Sequence, residues 1–285
     1  MPAVDRFVTV ASDPAARRDP GETMSGPIGL HGGGEYVSGD EPFLDALLAA
    51  AAAAHERRAN PADFDVSGHA LAPAPAPLRI VLLPTAAGRG MPDRAAATGR
   101  AAFERRAAAT RRRVTVEVAR VVDAASAADP GEAGRIARAD LIHLPGGDPD
   151  LVPATLAGSA ALAALEAAWQ RGAVIAGASA GAMALAEWTW TSTGGIRGLG
   201  LVRGLAVVPH YDDVRRTAWQ DTLDRLAPGG IGYLGLDERT GVISIPNGPD
   251  SHDWQVAGPG AAYWFARGAA EPVIGRHGDL LRLPA

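Results

Sequence analysis

Val174-Ile175-Ala176-Gly177-Ala178-Ser179-Ala180-Gly181-Ala182-Met183 runs from an apolar segment into Gly-x-Ser-x-Gly and on into alanine-rich sequence. The first part suits a buried strand and the last a helix. A serine on a sharp turn between the two is the layout of a nucleophile elbow. Only small neighbours fit there, and the hydroxyl stands clear of the sheet edge. Ser179 is therefore the candidate nucleophile, and the amides that open the following helix face any oxyanion formed beside it. A plain glycine turn would use the same residues, so the rest of the chain has to supply partners.

Outward from this run, strand and helix signals alternate. Residues 27–31 form a short apolar run that ends in Gly32-Gly33-Gly34, and 43–58 read as a helix capped by Asp40. Strands are expected at 78–84, 114–122, 141–144 and 173–177, with helices at 93–112, 151–156 and 160–171. This alternation predicts an α/β fold of three layers, a mostly parallel central sheet with helices on both faces. In such sheets sites form beyond the carboxyl ends of the strands. Three loops fit that position: Gly32-Gly33-Gly34, Gly146-Gly147-Asp148 and the Ser179 turn. After about residue 200 the signals become more β-like, at 205–209, 231–236, 241–245, 254–257, 273–274 and 280–283, with one helix expected at 214–226. Residues 1–25 read as a flexible leader. Residues 26–285 read as a single domain with a Pro/Ala-rich excursion at about 60–77.

Composition narrows the function. A chain of 285 residues can bury a sizeable core, and 47% hydrophobic with 21% charged residues is ordinary for a soluble enzyme. A formal charge of -5 gives no footprint for nucleic acid. All 27 basic residues are arginine, which fits an Ala/Gly/Pro-rich composition from a GC-rich genome better than any function. The absence of cysteine excludes a disulfide framework, a thiolate metal site and a cysteine nucleophile. The first 25 residues lack the apolar core of a signal peptide, and the alanine-rich run at 44–54 is too short to span a membrane. A cytoplasmic protein without membrane contact is expected.

A serine nucleophile needs a base and a group that orients the base. Of the seven histidines, His55 and His69 read as surface residues, His143 as a core residue within a strand, and His277 as part of a tight turn. His210 follows the apolar run Leu205-Ala206-Val207-Val208-Pro209 and opens a polar loop, which places it at a strand's carboxyl end, the edge that holds Ser179. Asp237 and Glu238 end another apolar run, and Asp212 is a rival close to His210 in sequence. His210-x-Asp212-Asp213 has no second histidine cluster at metal spacing, so no metal is expected. Gly146 and Gly147 suit a backbone oxyanion hole.

Four runs in order resemble one family, the cyanophycinase and aspartyl-dipeptidase serine peptidases, whose fold is similar to class I glutamine amidotransferases with a flavodoxin-like core. They are Leu144-Pro145-Gly146-Gly147-Asp148, Gly177-Ala178-Ser179-Ala180-Gly181-Ala182, the strand leading to His210, and Leu234-Gly235-Leu236-Asp237-Glu238-Arg239-Thr240. The resemblance implies Ser179 as nucleophile, His210 as base, Glu238 as orienting acid, and the amides of Gly147 and Ala180 as oxyanion hole. It implies hydrolysis of small peptides or isopeptides through an acyl-enzyme, without metal or organic cofactor. Gly146, Asp148 and Arg215 would meet the substrate. Arg215 or Arg216 would face an acidic side chain, but not both, since the two point roughly 100° apart on a helix. Members that cleave cyanophycin carry glutamines where this chain has Pro149 and Pro209, and the dipeptidases have Asn in place of Asp148. A homodimer is compatible with the sequence.

Two other readings use the same residues. His31-Gly32-Gly33-Gly34 resembles the oxyanion motif of α/β-hydrolase esterases, which would pair Ser179 with Asp237 and then His252 or His277. A catalytically idle binding member of the same fold is the other, motivated by the two prolines.

Overall fold

Predominantly apolar runs build the centre of the molecule. The computed structural model describes residues 25–59, 76–191, 194–211, 221–223, 225–245 and 253–283. The elements in chain order begin with β1 (Ile28–His31), α1 (Glu41–Ala59), β2 (Leu78–Leu82), a 3-10 turn (Thr85–Ala87), α2 (Pro92–Ala109) and β3 (Val114–Val118). There follow α3 (Ala124–Ala127), α4 (Pro130–Ala137), β4 (Leu141–Leu144), α5 (Leu151–Leu156), α6 (Ala160–Gln170), β5 (Val174–Ala178) and α7 (Ala180–Leu185). The remainder is almost all strand: β6 (Trp188–Thr191), β7 (Gly194–Arg197), β8 (Leu205–Val208), β9 (Gly232–Leu236), β10 (Gly241–Ser244), β11 (Asp253–Ala257), β12 (Ala261–Phe265), β13 (Val273–Arg276) and β14 (Leu280–Arg282).

Eight strands form the main sheet in the order β14-β11-β10-β1-β5-β4-β2-β3. The five from β1 to β3 run parallel, and β10, β11 and β14 add an antiparallel wing beside β1. Alternate side chains divide the core into two layers. Val174 and Ala176 of β5, Ile80 and Leu82 of β2 and Leu141 of β4 pack with Phe43 and Leu47 of α1 and Phe103 of α2. Their neighbours Ile175, Val81 and Ile142 face the other way, onto Ile136, Val152, Leu165 and Met183 of α4 to α7. Helices therefore cover both faces, as the alternation of signals predicts. No helix among the described residues is long and apolar enough to cross a membrane.

Several local expectations differ from the structure. The strand expected at 114–122 ends at Val118, because the Val121 amide turns back onto the Ala119 carbonyl. Asp40 opens α1 with its backbone carbonyl, which accepts from Phe43 and Leu44, while its side chain accepts from the Tyr36 amide instead of capping the helix. His55 is half-buried against Asp140, its Nδ1 3.1 Å from Oδ1. The later strands do not all join the main sheet: β13-β12-β9-β8 make a second sheet, in which β8 and β9 are parallel. The chain crosses from this second sheet to the main one at residues 237–240. Of the helix expected at 214–226, only 221–223 and 225–226 are described, and they are helical.

Candidate active site

Ser179 sits between β5 and α7 with φ 49° and ψ −116°. Such a conformation costs a non-glycine residue of order 1–3 kcal/mol and persists only where surroundings hold it. Here its amide donates to the His31 carbonyl at 2.9 Å, and its own carbonyl accepts from Met183 at 2.9 Å. The flanking glycines are a packing requirement. A Cβ on Gly177 would lie 2.4 Å from the Gly181 carbonyl carbon, and one on Gly181 would lie 2.1 Å from the Leu144 carbonyl oxygen. The Gly-x-Ser-x-Gly spacing thus lets strand, helix and the end of β4 converge below the serine.

The Ser179 Oγ lies 3.0 Å from His210 Nε2, and His210 Nδ1 lies 2.8 Å from Glu238 Oε1. His210 leaves the carboxyl end of β8, and Glu238 follows the adjacent parallel strand β9. The second sheet therefore delivers the histidine and the glutamate, while the main sheet delivers the serine. With a proton on Nδ1 facing the carboxylate, the ring would offer Nε2 as an acceptor to the serine hydroxyl. The Asp237 carboxylate accepts instead from the Ala261 amide at 2.9 Å, and Asp212 lies outside the described residues.

The end of β1 joins the two sheets at this point. Three successive carbonyls, of His31, Gly32 and Gly33, accept the amides of Ser179, His210 and Arg239 at 2.9, 2.8 and 2.7 Å. His210 and Arg239 share Ser179's positive φ, at 52° and 59°. With Tyr36 at 71°, these are four of the five non-glycine residues in that region among the described residues. Backbone strain is thus concentrated where the three segments meet.

Gly146 packs on Ser179: a Cβ on it would be 3.2 Å from the serine Cβ. Its amide donates to Glu35 Oε1 at 2.8 Å, so it is already engaged. Sequence reasoning missed Glu35; its one signal is its place directly after the glycines at the end of β1. Gly147 has φ 154° and lies so close to the Ala86 carbonyl that a Cβ would come within 2.2 Å. Asp148 Oδ2 pairs with Arg89 at 2.6 Å. Beside them opens a cleft of about 650 Å³, lined among others by Glu35, Ala86, Arg89, Arg94, Gly147 and Asp148. Arg215 and Arg216 lie outside the described residues. Among the described residues there is no cluster of groups that could hold a metal ion.

Gly32 and Gly33, which follow His31, do not offer their amides to the serine. Gly32 donates to the Thr240 carbonyl at 2.9 Å, and Gly33 donates to His31 Nδ1 at 3.2 Å. His277 is occupied elsewhere, where its Nδ1 accepts from the Gly258 amide at 3.3 Å, and His252 lies outside the described residues. The esterase arrangement finds no support in this geometry.

Comparison with known proteins follows the same line. No curated protein matches the sequence. Among solved structures, a peptidase from an acI-B1 Actinobacterium is 23% identical over 92% of this chain and 98% of its own, with a TM-score of 0.70, a likeness that shows the fold. A candidate peptidase E protein from Listeria monocytogenes EGD-e is 14% identical over 89% of this chain and 99% of its own. Its TM-score of 0.44 is too low to carry weight. The sequence model of peptidase family S51 matches residues 69–245, more than half the chain, and the chain belongs to that family of serine peptidases.

Proposed function

We propose that this serine peptidase cleaves short peptides through an acyl-enzyme on Ser179, with His210 as general base and Glu238 as its orienting acid. The observation that carries the reading is the unbroken chain from Ser179 Oγ to His210 Nε2 at 3.0 Å and from His210 Nδ1 to Glu238 Oε1 at 2.8 Å. In the first step the serine oxygen attacks the peptide carbonyl carbon and its proton passes to Nε2. The C–N bond then breaks, and the same proton goes to the leaving amine. Water then attacks the acyl ester carbonyl and loses a proton to Nε2; the ester C–O bond breaks, Nε2 returns that proton to Ser179 Oγ, and the carboxylic acid product leaves. The amides of Gly147 and Ala180 are assigned to the oxyanion, and the β5–α7 turn serves as a nucleophile elbow.

The cleft beside Gly147, lined by Glu35, Arg89 and Arg94 among others, supports a small charged peptide as substrate. Pro149 and Pro209, lacking both side-chain amide and backbone N–H, favour short peptides over cyanophycin. The test is a panel of Asp-X, Glu-X and unrelated dipeptides, β-aspartyl-arginine polymer and short acyl esters, with products read by mass spectrometry. Peptide cleavage by the native enzyme and none by Ser179→Ala is expected. Turnover of esters alone, or equal turnover by the variant, would contradict the reading.

A further inference from the structure

Beneath the site lies a buried histidine–aspartate pair to which the proposed mechanism gives no role. His31 and Asp40 are each 1% exposed, and His31 Nε2 lies 2.9 Å from Asp40 Oδ1, off the line of an ideal hydrogen bond. A buried carboxylate beside an imidazole is costly to keep unless it fixes something. Both residues touch the end of β1. The second Asp40 oxygen accepts the Tyr36 amide at 2.7 Å, directly after Glu35. His31 Nδ1 accepts the Gly33 amide at 3.2 Å, and Gly33 lies against the His210 ring. The His31 ring is itself held from one side by Phe43, centroid to centroid 4.7 Å.

We infer that Asp40 and His31 are positioning residues, which set the Gly32–Gly34 backbone and through it the ring of His210. Gly33's amide can donate to Nδ1 only if that nitrogen carries no proton. The ring must then be the neutral tautomer protonated on Nε2, and a carboxylate beside Nε2 favours that tautomer. Asp40 therefore selects the ring form, the ring orients Gly33, and Gly33 limits where His210 can lie. The same residues 31–33 supply the carbonyls that hold Ser179, His210 and Arg239, so a shift here would reach all three catalytic segments. This inference rests on the Ser179–His210–Glu238 reading above.

The test needs no natural substrate. A fluorophosphonate probe reports Ser179 reactivity as a rate of covalent labelling, followed by intact mass and normalised to folded protein. Asp40→Asn keeps the shape of the side chain and removes its charge. It should slow labelling at least about tenfold, whereas a residue that only stabilised the fold would lower the Tm and leave the rate per folded molecule unchanged. His31→Asn places an amide oxygen near the position of Nδ1 and should label several-fold faster than His31→Ala. Labelling at the native rate by folded Asp40→Asn and His31→Ala would overturn the inference. In the native enzyme, imidazole ¹⁵N spectra at neutral pH should show His31 protonated on Nε2 alone, and a protonated Nδ1 would overturn it whatever the variants do. A native enzyme that does not label at Ser179 would instead sink the catalytic reading and leave the pair to be judged by its spectrum.

Discussion

Gly33 lies directly against the ring of His210. A Cβ built on it would sit 2.3 Å from Cε1 and 2.6 Å from Nε2, the nitrogen that faces Ser179. Its neighbour Gly34 shares the positive φ, 67° against 100°, but a Cβ there would meet nothing closer than 3.4 Å. The two positions therefore separate backbone strain from displacement of the His210 ring. Either alanine costs roughly 1–2 kcal/mol of conformational strain, but only Gly33→Ala pushes the imidazole. Misplacing a catalytic group by about 1 Å costs on the order of 100-fold in rate. Gly33→Ala should lose about that much kcat while Gly34→Ala stays within about tenfold, both measured per folded molecule.

Glu238 and Asp237 are adjacent in sequence but face different partners. Glu238→Gln removes the charge that faces His210 Nδ1 at 2.8 Å and should lower kcat by roughly 10²–10⁴-fold with KM nearly unchanged. The Asp237 carboxylate holds the Ala261 amide at the start of β12, so Asp237→Asn should lower the Tm and leave kcat per folded molecule within about twofold. Steady-state kinetics on any cleaved peptide distinguishes the two.

Glu35 ties the end of β1 to the loop after β4 through the Gly146 amide at 2.8 Å. A bond from an amide to a carboxylate contributes about 1.5–3 kcal/mol. Glu35→Ala should let the Gly146–Gly147 loop drift from Ser179 and reduce kcat about tenfold or more. Glu35→Gln keeps an acceptor oxygen for the amide and should recover most of that loss.

His143 gives the fold a pH dependence separate from catalysis. The ring is buried in β4 and bonded to the Tyr36 hydroxyl at 2.8 Å; burial lowers its pKa from 6.5 to about 3. The unfolded chain binds a proton at this ring near 6.5 that the folded chain refuses until about 3. Stability therefore falls as pH drops through that window, by up to about 1.4 kcal/mol per unit, and this contribution is flat above it. Urea unfolding between pH 7 and 4.5 should show a steeper loss for the native enzyme than for His143→Asn. Parallel curves would assign the acid sensitivity to other groups.

The parallel core was legible because its inner strands read as nearly continuous apolar runs, such as Ile80-Val81-Leu82-Leu83 and Val174-Ile175-Ala176-Gly177-Ala178. The glycine loops at their carboxyl ends were legible for the same reason. The second sheet was not. Leu205-Ala206-Val207-Val208 looks like any other buried strand, and nothing local says that it pairs with β9 instead of β1. The helices α3 and α4 carried readable caps, Asp123 with Ser126 and Asp129 before Pro130, which alanine-rich surroundings obscured. Glu35 and the His31–Asp40 pair depend on how residues 31–40 curl back beside the sheet. Hydrophobic periodicity carries no trace of that path.

Peptide hydrolysis by this chain requires Ser179 to be an activated nucleophile. The most direct measurement is peptide mapping of the native enzyme after reaction with a fluorophosphonate, beside Ser179→Ala and His210→Ala. One adduct on the peptide that carries Ser179 is predicted, absent from the first variant and slowed at least about 100-fold in the second. No adduct on the native enzyme, or one that survives Ser179→Ala, would contradict it.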